Sequence, residues 1–73
     1  MRLQEAIQRA RKRADITQAE LAARVSRLGV RCRESDVCRW ERGRNAPRRR
    51  TVEALAKALG VSLEPTYEAP ADA

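Results

Sequence analysis

Apolar residues recur at helical spacing in four stretches of the chain, and nowhere do they alternate with polar residues over the four or more positions typical of a strand. The first stretch contains Leu3, Ile7 and Ala10 and predicts a helix over residues 2–13. Its last three residues, 11–13, are basic, which suits the negative end of a helix dipole.

The second stretch carries the strongest local signal. Thr17 and Glu20 have the spacing of a capping box, in which each side chain bonds the backbone N–H of the other residue. Gly29 is suited to the position just beyond a helix end, so a helix is predicted over residues 18–28. Its apolar stripe comprises Leu21, Ala22, Val25 and Leu28.

Two further helices are predicted, over residues 34–42 and 48–59, and glycines end both. The start of the third is ambiguous, because Arg33 is a poor N-cap residue and Ser35 a good one. Ser62 could begin one more short turn before Pro65. The chain is therefore predicted to be all-α, a bundle of four to five short helices. Its expected core comprises Leu3, Ile7, Ile16, Leu21, Val25, Val37, Trp40, Val52, Leu55 and Leu59.

The net positive charge of the chain indicates the kind of partner that it binds. The 73 residues carry 16 Lys and Arg against 10 Asp and Glu, a net charge of +6. An excess of this size on one small domain favours a polyanionic partner, although a solvated charged surface is the simpler alternative. The positive charge is concentrated in residues 31–50, while residues 51–73 are net negative, so the middle of the chain is the expected contact zone.

Composition also excludes several kinds of site. The chain has no His, which removes the usual catalytic triads and His-bearing metal sites, so neither an enzyme nor a metal or other cofactor is indicated. Cys32 and Cys38 are a single pair, and we expect them to be reduced thiols in a cytoplasmic protein rather than a disulfide or a redox switch. No apolar run is long enough to span a membrane, and the first fifteen residues lack the apolar core of a secretory signal.

The third helix has the pattern of a DNA-reading helix. Val37 and Trp40 form a narrow apolar face that would turn toward the core. The opposite face presents polar side chains that can reach base edges in the major groove, which admits one helix: Glu34, Ser35, Asp36 and Arg39. Arg39 is the first candidate for a base contact, because arginine is the commonest reader of guanine.

Three further segments of the sequence follow one another in a recognisable order. They are TQAELA at 17–22, VCRWERGRNAP at 37–47 and LAKALGVS at 55–62. Together they resemble the Cro- and lambda-repressor-like helix-turn-helix family over about residues 3–64. The resemblance implies a five-helix DNA-binding domain over residues 1–64, followed by a short tail over residues 65–73.

The resemblance also implies roles for individual residues. Gln18, at the start of the second helix, matches a phosphate-binding glutamine, and Glu41 matches an acid that pairs with Arg11 near the end of the first helix. The base-reading positions match Glu34, Ser35, Asp36 and Arg39. The expected contacts to the DNA backbone are Gln18, Arg33, Arg42, Arg44, Asn45, Arg48, Arg49 and Arg50.

Three features leave alternatives open. The acids Glu34 and Asp36 either accept hydrogen bonds from cytosine or merely suit the positive end of the helix dipole. The arginines at 48–50 oppose the dipole of the fourth helix, so phosphate contact explains them better than helix stability does, and a solvated surface is the alternative. The spacing from Leu21 to Trp40 is about five residues longer than is common in the family, and the extra residues fall around 26–33.

The leading functional hypothesis is a sequence-specific regulator of transcription that binds double-stranded DNA. We expect a repressor that acts as a homodimer on a two-fold operator in the cytoplasm, with Leu63 and Tyr67 as candidate dimer contacts. An antitoxin-like module that binds a toxin or another protein as well as DNA is the alternative. Recognition of single-stranded RNA is disfavoured, because the chain has only two aromatic residues on which bases can stack.

Overall fold

The computed structural model describes residues 2–63, which form four α-helices joined by short connections. The helices are α1 (Leu3–Arg13), α2 (Gln18–Arg27), α3 (Glu34–Glu41) and α4 (Arg49–Leu59). Each boundary lies within one residue of its prediction, and the described residues contain no strand. The all-α fold class is therefore confirmed. The predicted tail and Tyr67 lie outside the described residues.

The start of α2 has the predicted capping box. The backbone N–H of Glu20 donates to Thr17 Oγ1 at 3.0 Å, and the backbone N–H of Thr17 donates to Glu20 Oε1 at 2.7 Å. Two N–H groups that the helix itself leaves without a partner are satisfied in this way. The first turn of α2 is thus fixed by residues three positions apart in sequence.

The start of α3 resolves the ambiguity between Arg33 and Ser35. The helix begins at Glu34, and the backbone N–H of Arg33 donates to Asp36 Oδ2 at 3.0 Å. The acid three residues into the turn therefore bonds back to the residue that precedes the helix, as in one half of a capping box. The Asp36 carboxylate thus bonds the N–H of the N-cap residue, while the Asp36 N–H bonds the Arg33 carbonyl at 3.0 Å, and the first turn is tied to Arg33 without a cap from its side chain.

Leu28 corrects the predicted stripe of α2. Its side chain is 46% exposed, whereas Leu21, Ala22 and Val25 are buried. The helix ends at Arg27, one residue earlier than predicted, so Leu28 is the C-cap residue. The chain turns away there and takes the Leu28 side chain off the buried face.

The core lies where α2 packs against α3 and α4 and where α1 closes over α3 and α4. Nine of the ten predicted core residues are buried. The exception is Leu59, which packs against the core but is only partly buried, because it is the last residue of α4. Ala22, which lies on the predicted stripe of α2, is also buried, and so are Cys32 and Ala54, which the sequence analysis did not place in the core.

Gly60 ends α4 in the left-handed conformation, with φ 68°, as predicted for a residue just beyond a helix. Residues 61–63 then lie beside α1, near Ala6, Arg9 and Ala10. Within residues 2–63, no helix is both long and apolar enough to cross a membrane.

Candidate nucleic-acid interface

The two faces of α3 are sharply different. Val37 is fully buried and Trp40 nearly so, which anchors one face in the core. Glu34, Ser35 and Arg39 are exposed on the other face. All four predicted base-reading side chains therefore lie on the outward side of the helix, with Asp36 the only one of them that is partly covered.

Asp36 is committed to contacts within its own helix. Its Oδ2 accepts the Arg33 backbone N–H, and its Oδ1 accepts from Arg39 Nη1 at 3.3 Å. Arg39 remains 55% exposed, and a guanidinium has five N–H donors, so one bond to Asp36 leaves most of its donors free. The arrangement restrains Arg39 next to the solvent without using up its capacity to bind.

A hydrogen-bonded cluster joins α1, α2 and α3 at one end of the bundle. Glu41 accepts bonds from Arg11 Nε at 2.7 Å, Arg11 Nη2 at 3.1 Å and Gln18 Nε2 at 3.0 Å. Arg11 Nη1 also donates to the backbone carbonyl of Ile16 at 2.9 Å. The Arg11 and Glu41 side chains are only 13% and 3% exposed.

The electrostatics of this cluster favour the charged form of Arg11. The hydrogen bonds that Arg11 donates to Glu41 raise the pKa of Arg11, although burial acts in the opposite direction. The two-point contact between guanidinium and carboxylate is the strong, geometrically specific kind of ion pair. The cluster fixes the start of α2 and the end of α3 relative to α1.

Gln18 takes part in this cluster, which the sequence did not predict. The residue is partly buried at the first position of α2, and one N–H of its amide is directed at Glu41. The other amide N–H and the first-turn backbone of the helix are the groups left to meet an anion. No local pattern could have revealed the contact, because 23 positions separate the two residues in sequence.

The predicted phosphate-binding residues flank α3 on both sides. Arg33 directly precedes the helix, Arg42, Arg44 and Asn45 follow it, and the arginines at 48–50 stand at the start of α4. All of these side chains are exposed, and none of the arginines forms an ion pair with another residue of the 2–63 segment. The first turn of α4 contains no acid that would offset its three positive charges.

The two cysteines are free thiols in different settings. Cys32 is buried just before α3, where desolvation, and then the Asp36 carboxylate, raise the pKa of its thiol from the ordinary 9.0 to about 11. Cys38 is partly buried within α3. Among residues 2–63, no group of three or more His, Cys, Asp or Glu side chains could hold a metal ion.

Comparisons with known proteins agree with this geometry. The family model of the helix-turn-helix domain matches residues 3–69. The chain is similar to the P22 c2 repressor protein, whose crystal structure was solved in complex with synthetic operator 9T in the presence of Tl+. The two are 31% identical with a TM-score of 0.74, over 85% of this chain and 86% of the repressor chain. No curated protein matches the chain.

The fold and the outward polar helix define a class, that of DNA-binding regulators rather than of enzymes. Within that class, the chain belongs to the helix-turn-helix domain family, with the lambda-repressor-like (XRE-type) fold.

Proposed function

We propose that the chain is a sequence-specific regulator of transcription that reads double-stranded DNA with α3. The observation that carries this proposal is the outward polar face of α3, held by a buried Val37 and Trp40 and bordered by unpaired arginines. A helix of this kind fits the major groove, with its polar side chains at the base edges.

The proposed readers are Glu34, Ser35, Asp36 and Arg39. Arg39 is the principal one, because its free donors suit the two acceptors of guanine. Asp36 has the smaller role in reading, since both of its oxygens already accept hydrogen bonds in the free protein. Asp36 instead stabilises the first turn of α3 and restrains the Arg39 side chain.

The proposed contacts to the DNA backbone bracket these readers. A positive border attracts the duplex and sets its register, while α3 supplies the sequence dependence. The residues in this role are Gln18, Arg33, Arg42, Arg44, Asn45, Arg48, Arg49 and Arg50.

We further propose that the protein is a repressor that binds a two-fold operator as a homodimer in the cytoplasm. Support comes from the similarity to the P22 c2 repressor, which was solved with a synthetic operator. One domain of this size offers a small DNA interface, so two copies on paired half-sites give the affinity that regulation requires. Occupation of a promoter would then block the polymerase.

Selection of bound duplexes from a random pool tests the proposal. We expect one sequence to be enriched, with two inverted half-sites. The affinity for that duplex should fall steeply with salt, by a slope of about 0.9 for each neutralised phosphate. Absence of enrichment, or a slope near zero, would refute the proposal.

A further inference from the structure

The connection between α2 and α3, residues 28–33, is fixed to the body of the protein. Gly29 turns the chain with φ 91°, and the Ser26 hydroxyl donates to the backbone carbonyl of Cys32 at 3.0 Å. Val30 packs against the core, and Cys32 belongs to it. The connection is thus held at several points rather than looping freely into solvent.

The side chains of this connection alternate between core and solvent. Val30 and Cys32 turn inward, whereas Arg31 and Arg33 are exposed. Arg33 has extended backbone angles, φ −115° and ψ 162°, and the buried side chain of Cys32 stands between the two exposed arginines in sequence. Because Cys32 turns into the core, Arg31 and Arg33 both face the solvent, directly before the first turn of α3.

Arg31 is uncommitted in the free protein. It makes no hydrogen bond or ion pair with any other residue between 2 and 63. Beside it, the first turn of α3 carries Glu34 and Asp36, two acids that repel a DNA backbone. A helix that approaches DNA by this end needs nearby cations to overcome the repulsion.

We infer that Arg31 is a DNA-phosphate contact, and that with Arg33 it forms a fixed pair of cations that grips the backbone beside the first turn of α3. The inference rests on the proposed function and adds a contact to it. The N-terminal residues of a reading helix lie deepest in the groove, so the residues immediately before them reach the adjoining backbone. Arginine suits that position because its planar fork binds two phosphate oxygens at once.

The salt dependence of binding to the selected duplex tests the inference through Arg31→Gln. The matched control is Arg9→Gln, an identical charge change at an exposed position on α1 beside residues 61–63. We expect Arg31→Gln to lower the salt slope by about 0.9 and Arg9→Gln to leave it unchanged. Between 50 and 200 mM salt, the loss of affinity should then be about threefold smaller for Arg31→Gln than for the wild type.

A second variant tests whether the fixed connection matters. Ser26→Ala removes the hydrogen bond to the Cys32 carbonyl and leaves every charge in place. We expect it to weaken binding in the wild-type background and to have no further effect when Arg31 and Arg33 are both replaced by Gln. Circular dichroism of each variant should show unchanged helix content, since residues 26 and 31 are exposed.

The outcomes separate the inference from the proposed function. If Arg31→Gln and Arg9→Gln have the same slope while the wild type keeps a steep one, the inference is overturned and DNA binding stands. Additive losses for Ser26→Ala and the double replacement of Arg31 and Arg33 by Gln would overturn the positioning role of the connection. A shallow slope for the wild type itself would overturn both.

Discussion

At the scale of single residues, Glu41 stands out because its charged side chain is buried. Its carboxylate is almost entirely removed from water and accepts three hydrogen bonds, two from Arg11 and one from Gln18. A buried ion pair of this kind adds little stability over an apolar pair, yet removal of one partner is costly because the other charge stays buried without compensation.

Replacement of Glu41 by glutamine should therefore destabilise the fold. We expect Glu41→Gln to lower the free energy of unfolding by about 3 kcal/mol, because Arg11 keeps its charge and loses its counter-ion. Urea unfolding followed by circular dichroism measures the change. Arg39→Ala is the control, since it breaks the exposed pair with Asp36 and should cost less than about 1 kcal/mol. Equal losses in the two variants would contradict the structural role of Glu41.

Cys32 gives the molecule a sensitivity to alkaline pH. In the folded chain the pKa of this thiol is about 11, against an ordinary 9.0 once the chain unfolds and the side chain is hydrated. Above pH 9 the unfolded state releases the thiol proton while the folded state retains it, so the contribution of Cys32 to stability is complete below pH 9 and is lost as the pH rises toward 11.

We expect the free energy of unfolding to fall more steeply between pH 9 and 11 in the wild type than in Cys32→Ala. Both proteins share every other titrating group, so the difference between their pH profiles reports this thiol alone. Urea titrations at several pH values provide the measurement. Parallel profiles would show that the Cys32 thiol ionises as readily in the folded chain as in the unfolded one.

At the scale of the elements, the helices could be predicted because their signals are local. The Thr17–Glu20 box, the apolar spacing within each helix and the glycine after α4 act over a few residues, and all are found as expected. The outward face of α3 follows from the same periodicity once Val37 and Trp40 are placed in the core.

The features that sequence did not predict depend on the tertiary arrangement. The bond from Gln18 to Glu41 needs α2 and α3 to meet at a particular angle, which no spacing encodes. Leu28 does not belong to the buried face of α2, because the helix ends one residue earlier than predicted and Leu28 begins the connection to α3. For Asp36 the sequence left open a hydrogen bond from cytosine or an interaction with the helix dipole, and it did not predict the bond from the Arg33 backbone N–H to the Asp36 carboxylate.

Two substitutions test the proposal that α3 contacts the bases and the start of α4 contacts the DNA backbone. Arg39→Ala should remove preference at one base position, with a loss of about 1–3 kcal/mol in discrimination. Arg49→Ala, at the first residue of α4, should weaken binding to all sequences about equally and lower the salt slope by about 1. Competition binding against single-base variants of the selected duplex distinguishes the two effects. If both variants change base preference alike, the assignment of Arg39 to base contact and of Arg49 to backbone contact is wrong.

At the scale of the whole molecule, the most basic part of the sequence coincides with the proposed reading helix α3. The excess of positive charge falls in residues 31–50, which contain α3 and the arginines around it, while residues 51–73 are net negative. Residues 1–30 are also net positive, with 7 basic and 3 acidic side chains, so residues 31–50 are the most basic part of the sequence and not the only one. Leu63 packs against the core and is only partly buried, which leaves it as a candidate contact between copies.

The assembly on DNA should consist of two copies on one duplex. We expect cooperative binding at a 2:1 ratio to a site whose half-site centres are about 10–10.5 base pairs apart, and weaker binding when one half-site is scrambled. Sedimentation of the complex gives the ratio. Full affinity for a single half-site at a 1:1 ratio would contradict the dimeric arrangement.

Trp40 is the only tryptophan in the chain and belongs to the buried side of α3. Its indole therefore provides an intrinsic optical reporter confined to the proposed reading helix. Emission at long wavelength would show this helix detached from the core and exposed to water, while circular dichroism averages over all four helices. The two signals together would reveal whether any substitution loosens α3 before the rest of the bundle unfolds.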